Sequence, residues 1–168
     1  MWLGRGFLYN VLGKGLLFVG GWELDSLMAD WQIEFYEDKN GKRPVLTWLE
    51  TLSDEKFAAV EKANQNILAV QGIHLASSSW LKALGDGLYE FRIRHSASDI
   101  EGMYKAKNRK PPRSKNSILI REFITFEKGK IIILLGAYDK GKDPSKKTQQ
   151  EQIAKAQKRL NDWKRRKI

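Results

Sequence analysis

No cysteine occurs anywhere in the chain. That excludes disulfides, thiol nucleophiles and cysteine-ligated zinc. It also fits a reducing compartment, so a cytoplasmic location is expected. Histidine is nearly as scarce: the chain has 2, His74 and His95, too few for a histidine-rich metal site. The carboxylates are scattered without ligand spacing, so neither a metal nor another cofactor is expected. Long apolar runs are missing too. A membrane span needs about 20 consecutive apolar residues, and the apolar N-terminal stretch is broken at Gly13, Lys14 and Gly15. No membrane partner is expected. Acidic residues are in deficit: 20 Asp and Glu stand against 30 Lys and Arg, a net charge of +10. Such a balance points to a polyanionic partner, which charge alone does not identify.

What remains suits one globular domain. The 168 residues are 42% hydrophobic, enough to bury a core. Residues 1–28 differ from the rest, with glycines scattered among aromatic and aliphatic residues. They are read as an atypical extension. Met28 opens the segment MADWQIEFYED, and translation is expected to start there, which leaves 29–168 as the domain.

The pattern turns regular at Trp31. WQIEFYE alternates apolar and polar residues, as a half-buried strand does, and Asp38, Asn40 and Gly41 mark a turn. Pro44 suits the first position of a helix whose apolar residues are Val45, Trp48, Leu49 and Leu52. Ser53 reads as the cap of a second helix with Asp54 and Glu55 in its first turn, and Gly72 ends it. The loop GIHLASSS leads to WLKALGDG, with a turn at Gly85-Asp86-Gly87. LYEFRIR then alternates. Tyr89, Phe91 and Ile93 are expected against the helices, and Leu88, Glu90, Arg92 and Arg94 on the other face. Two arginines side by side on a strand form a surface suited to phosphate.

Residues 95–117 interrupt the sheet. Pro111-Pro112 excludes a central strand there, and the segment is expected to be a basic loop. It is either solvated or an arm that grips an RNA backbone, with Lys105, Lys107, Arg109, Lys110 and Arg113 as candidate contacts. ILIREFITFE and KIIILLGAYDK form a hairpin through Glu127-Lys128-Gly129. Ile131–Leu135 is apolar on both faces and so reads as a central strand. A closing helix is expected from Thr148, with a Thr148–Glu151 capping box and a buried stripe of Ile153, Ala156, Leu160 and Trp163. The expected order is strand, two helices, three antiparallel strands and a helix: one small α+β domain with a sheet of about four strands.

Five segments in this order resemble the RelE/ParE superfamily of toxins, and within it the phage-derived HigB-like family. They are GKRPVLTWLETL, LKALGDGLYEFRIR, IREF, IIILLGAYDK and IAKAQKRL, and the similarity runs from about Trp31 to Lys158. Tyr138 stands where many members have Phe, Gly141 where a second lysine is usual, and the insert at 95–117 is longer than the family's hairpin.

The resemblance implies a RelE-like fold and a type II toxin, an endoribonuclease that cleaves mRNA on the ribosome. RNA carries its own nucleophile in the 2′-hydroxyl, so cleavage needs a base, cations at the phosphorane and an acid for the 5′-oxygen. Carried over by position, Arg92, Arg121 and Lys140 surround the scissile phosphate, and Tyr138 stacks on a base or orients the 2′-hydroxyl. Glu90, beside Arg92, is the candidate base; its competing reading is a cross-strand ion pair. His95 is a weaker candidate at the end of the same strand. Arg94 and Lys142 extend the RNA surface. A toxin also implies a cognate antitoxin, expected to carry a helix-turn-helix domain and an acidic segment. Two readings compete: a non-catalytic RNA- or ribosome-binding module, and an interaction toxin of the ParE branch acting on DNA gyrase.

Overall fold

The computed structural model describes residues 30–105 and 118–167. The extension at 1–28, with the expected start at Met28, lies outside them, as do Lys107, Arg109, Lys110 and Arg113. Among the described residues no helix is long and apolar enough to cross a membrane.

The fold is α+β, built on a mixed sheet of five strands in the order β1-β5-β4-β3-β2. These strands are β1 Gln32–Phe35, β2 Leu81–Gly85, β3 Leu88–Ile93, β4 Ile120–Glu127 and β5 Ile131–Asp139. β1 runs parallel to β5, and every other pairing is antiparallel. β5 is therefore central, as its doubly apolar sequence requires. Ile132 and Leu134 enter one core, and Ile133 and Leu135 enter a second on the opposite face.

Helices cover both faces. Pro44–Leu49 (α1) buries Val45 and Leu49. Asp54–Ala63 (α2) is capped by Ser53, whose side chain accepts from Lys56 N. α2 continues through a π-helical turn at Asn64–Leu68 and a last α-helical turn at Ala69–Gln71. It stops at Gly72, whose φ of +51° favours glycine. Together α1 and α2 close over Phe91, Ile93, Ile124 and Leu134. The C-terminal helix, Lys146–Arg166 (α4), lies against the other face through Ala156 and Leu160, with Ile153 and Trp163 beside them.

Three expectations need correction. The sheet has five strands rather than four, because LKALG pairs with β3 as an edge strand. Its composition is poor in β-branched residues and its register slips between Ala83 and Gly85, so the local signal is weak. The segment 95–117 is not loop throughout, since Ala97–Lys105 forms a helix, α3. Its cap is reciprocal: Asp99 N donates to Ser96 Oγ at 3.2 Å and Ser96 N to Asp99 Oδ2 at 3.3 Å. Ile100 then anchors α3 in the core, fully buried. Finally, α4 begins at Lys146 rather than Thr148. Ser145 is the cap and accepts from Thr148 N at 3.2 Å, while the Thr148 hydroxyl bonds Asp143. Ser145→Ala is expected to lower stability by about 1 kcal/mol, read as an earlier midpoint in urea with an unchanged slope.

Candidate functional site

The strand register brings distant residues into one row. Arg92 on β3 is opposite Arg121 on β4, and Arg121 is opposite Tyr138 on β5. Neighbouring strands lie about 4.8 Å apart, so the three side chains share one patch of the face that α4 partly covers. Glu90, two residues before Arg92, belongs to the same face.

Glu90 is not displayed to solvent, contrary to the expectation for its face. It is 1% exposed, because α4 packs over that end of β3. Arg92 Nε donates to Glu90 Oε1 at 2.7 Å, along the strand rather than across it. Arg121 Nε lies 3.8 Å from the same oxygen, close enough for Coulomb attraction and too far for a hydrogen bond. The other oxygen, Oε2, accepts from Gln149 Nε2 at 2.8 Å. Gln149 Oε1 in turn accepts from Lys140 Nζ at 3.1 Å. One glutamine on α4 thus joins Glu90 to Lys140.

Sequence reasoning missed Gln149. A signal was present: Gln149 continues the stripe of Ile153, Ala156, Leu160 and Trp163 toward the N-terminus of α4. A polar residue on a buried stripe needs a polar partner, and here it has two.

The electrostatics are cationic. Burial lowers the Arg121 guanidinium pKa; Glu90 opposes that shift, while Arg94 and Arg92 reinforce it. The charges of Glu90, Arg92 and Arg94 thus all act on Arg121. Burial raises the Tyr138 hydroxyl pKa, and Glu90 raises it further against the pull of Arg121, so at neutral pH it is a neutral donor. Tyr138 stacks on Phe123 with ring centroids 6.0 Å apart. Both the Tyr138 hydroxyl and Arg121 Nε are buried without a hydrogen-bond partner among the described residues. Two buried, unpaired donors in a cationic row suit an anion with several acceptor oxygens.

Other candidates lie around this row. Arg94 is exposed at the end of β3, and Lys142 is exposed on the turn after β5. The backbone of Lys105 ends α3, but its side chain is outside the described residues. His95 packs against Trp80 with centroids 5.5 Å apart. Burial lowers its pKa, with Asp99 opposing and Arg94 adding to the shift. No group of three or more metal-ligating side chains gathers among the described residues. A cleft of about 690 Å³ between α1 and α4, lined by Tyr36, Arg43, Trp48 and Arg159, contains none of the residues in the arginine row.

No protein-family model and no curated protein matches the chain.

Proposed function

We propose that this chain is a toxin of the RelE/HigB type, a metal-independent endoribonuclease that cleaves mRNA on the ribosome and is held in check by a cognate antitoxin. The observation that carries the reading is the row Arg92–Arg121–Tyr138, with two buried, unpaired donors set among three arginines. Both donors are shut off from solvent in the free chain, so a scissile phosphate reaches them only as Gln149 and the start of α4 draw back, and its oxygens then supply the acceptors they lack. The resemblance of the GLYEFRIR and GAYDK segments supports the same assignment.

In this mechanism the 2′-oxygen attacks phosphorus and the bond to the 5′-oxygen breaks, leaving a 2′,3′-cyclic phosphate. The 2′ proton leaves to a base, and the 5′-oxygen takes a proton from an acid. Arg92 and Arg121 hold the phosphate, and their charge is already in place when the phosphorane forms. Tyr138 donates to a phosphate oxygen. Lys140, in the turn that follows β5, is the cation nearest in sequence to Tyr138 and serves as the acid. Both oxygens of Glu90 already accept hydrogen bonds. Glu90 therefore orients Arg92 in the free chain, and cleavage requires that substrate displace one of its partners, so that the freed oxygen takes the 2′ proton.

That occupancy also favours the second reading, an RNA- or ribosome-binding module without cleavage. One experiment separates them. The full chain is expressed with and without Arg92→Ala plus Arg121→Ala, growth is followed, and new mRNA 5′ ends are mapped by primer extension. Cleavage predicts arrest with new 5′ ends, both reduced at least about 100-fold in the double variant. Arrest with intact mRNA and stalled ribosomes supports the binding module. Arrest with intact mRNA and damaged DNA supports an action on gyrase. Arrest that survives the double substitution removes the site.

A further inference from the structure

β4 carries a second carboxylate on the face opposite Arg121. Glu122 lies between Phe91 on β3 and Ala137 on β5, and its side chain is wholly buried. Asn64, the first residue of the π-helical turn in α2, donates from Nδ2 to Glu122 Oε1 at 3.2 Å. The remaining atoms of the pair, Glu122 Oε2 and Asn64 Oδ1, are both buried without a hydrogen-bond partner among the described residues. Both are acceptors while Glu122 is ionised, and neither can satisfy the other. Among the described residues, a carboxylate here would also be a buried charge without a counter-ion. One proton answers both problems. On Oε2 it makes Glu122 a neutral acid that donates to Asn64 Oδ1, closing a cyclic pair of hydrogen bonds between acid and carboxamide.

We infer that Glu122 and Asn64 form a buried proton-binding site, in which a neutral Glu122 bridges β4 to α2 and loss of its proton loosens α2 from the sheet at the π-helical turn. The position supports a latch, because a π-helical turn is a local departure from the regular helix ladder. Burial pushes the Glu122 carboxyl up to about 7, with the Asn64 bond pulling the other way. Charged groups on the surrounding elements do not contribute to that shift. On α2, Lys56 is paired with Asp139 of β5, and Glu61 accepts from Gln65. On α3, Asp99 is engaged in the cap with Ser96. Glu90 and Arg121 belong to the opposite face of the sheet.

The sign follows from linkage. The unfolded carboxyl titrates near 4.5 and the folded one near 7. Below that window both states hold the proton and the contribution is complete. As pH rises through it the unfolded state loses its proton first, so the folded-to-unfolded ratio falls roughly tenfold per pH unit and then levels off. Asp38, Asp143 and Asp162 are held below the usual carboxylate range and act at lower pH with the opposite sign.

The test compares the full chain with Glu122→Gln by denaturant titration at pH values across the window. Glutamine reproduces the neutral acid, accepting from Asn64 Nδ2 and donating to Oδ1, but does not titrate. The wild type is expected to lose about a hundredfold in folded-to-unfolded ratio relative to the variant as pH rises. Parallel pH profiles overturn the proposal. The infrared band of a neutral buried carboxyl, measured on the wild type at about pH 6, is an independent readout if the variant folds poorly. Its absence means an ionised Glu122 served by another donor, such as a bound water, and also overturns the site. Amide exchange at 63–68 should be faster in the wild type than in Glu122→Gln only above the window. Equal rates there overturn the loosening.

Discussion

Replacing Glu90 with alanine is expected to destabilise the fold by about 3–5 kcal/mol, the usual effect of removing one member of a buried ion pair. The size comes from what stays behind. The Arg121 side chain is 6% exposed and cannot reach water without leaving β4's face, whereas Arg92 is 23% exposed and can swing outward. Without the carboxylate, Arg121 keeps its burial and its repulsion from Arg92 and Arg94 while losing the attraction of Glu90, the one carboxylate that acts on it among the described residues. Gln149 also loses its acceptor on Oε2, which slackens the first turns of α4. Glu90→Gln removes the charge but keeps an acceptor for Arg92, so it should cost less than alanine. Guanidinium unfolding of the full-length variants decides the matter. A loss below about 1 kcal/mol for Glu90→Ala would mean that Arg121 is solvated in a way its burial does not suggest.

Gly72→Ala is the other large effect, expected at about 3 kcal/mol or more. Two costs combine. The backbone at Gly72 has φ +51° and ψ −128°, a region that side chains avoid at a cost of order 1–3 kcal/mol. In addition, a Cβ built there would fall inside the indole of Trp31. The ring would have to leave its edge-on contact with Phe126, at 5.3 Å between centroids, and β1 would lose its packing at the sheet margin. Gly41 is the internal control. Its φ of +79° is equally unusual, but nothing lies within 4 Å of its Cβ position, so Gly41→Ala should cost about 1 kcal/mol from backbone strain alone. Equal costs at the two positions would show that the Trp31 contact is easily rearranged.

Glu90 and Gly72 secure different links in the same architecture. Glu90 holds together side chains from β3, β4 and α4, and Gly72 allows the end of α2 to approach β1 closely. Any anion bound by Arg92 and Arg121 depends on the first of these, because the carboxylate sets where both guanidinium groups sit.

The sequence by itself determined the α+β class, the Pro44 and Ser53 helix starts, the Gly72 stop, the Gly85-Asp86-Gly87 turn and the central place of β5. Each rests on local chemistry: a ring that presets φ, a hydroxyl within reach of a backbone N–H, a residue free to take positive φ, or apolar side chains on both faces of one strand. The arginine candidates were legible for a similar reason, since period-two alternation puts Glu90, Arg92 and Arg94 on one face. Tertiary structure decided the rest. The pairing of Arg92 with Arg121 and of Arg121 with Tyr138 depends on strand register, which no single strand encodes. The burial of Glu90 depends on α4 crossing that face, and the roles of Gln149 and Glu122 depend on partners 59 and 58 residues away in the chain. Edge strand β2 formed because β3 offered it an unpaired row of hydrogen-bonding groups, and α3 formed because Ile100 had a core to enter; in both, packing supplied what weak local propensity did not.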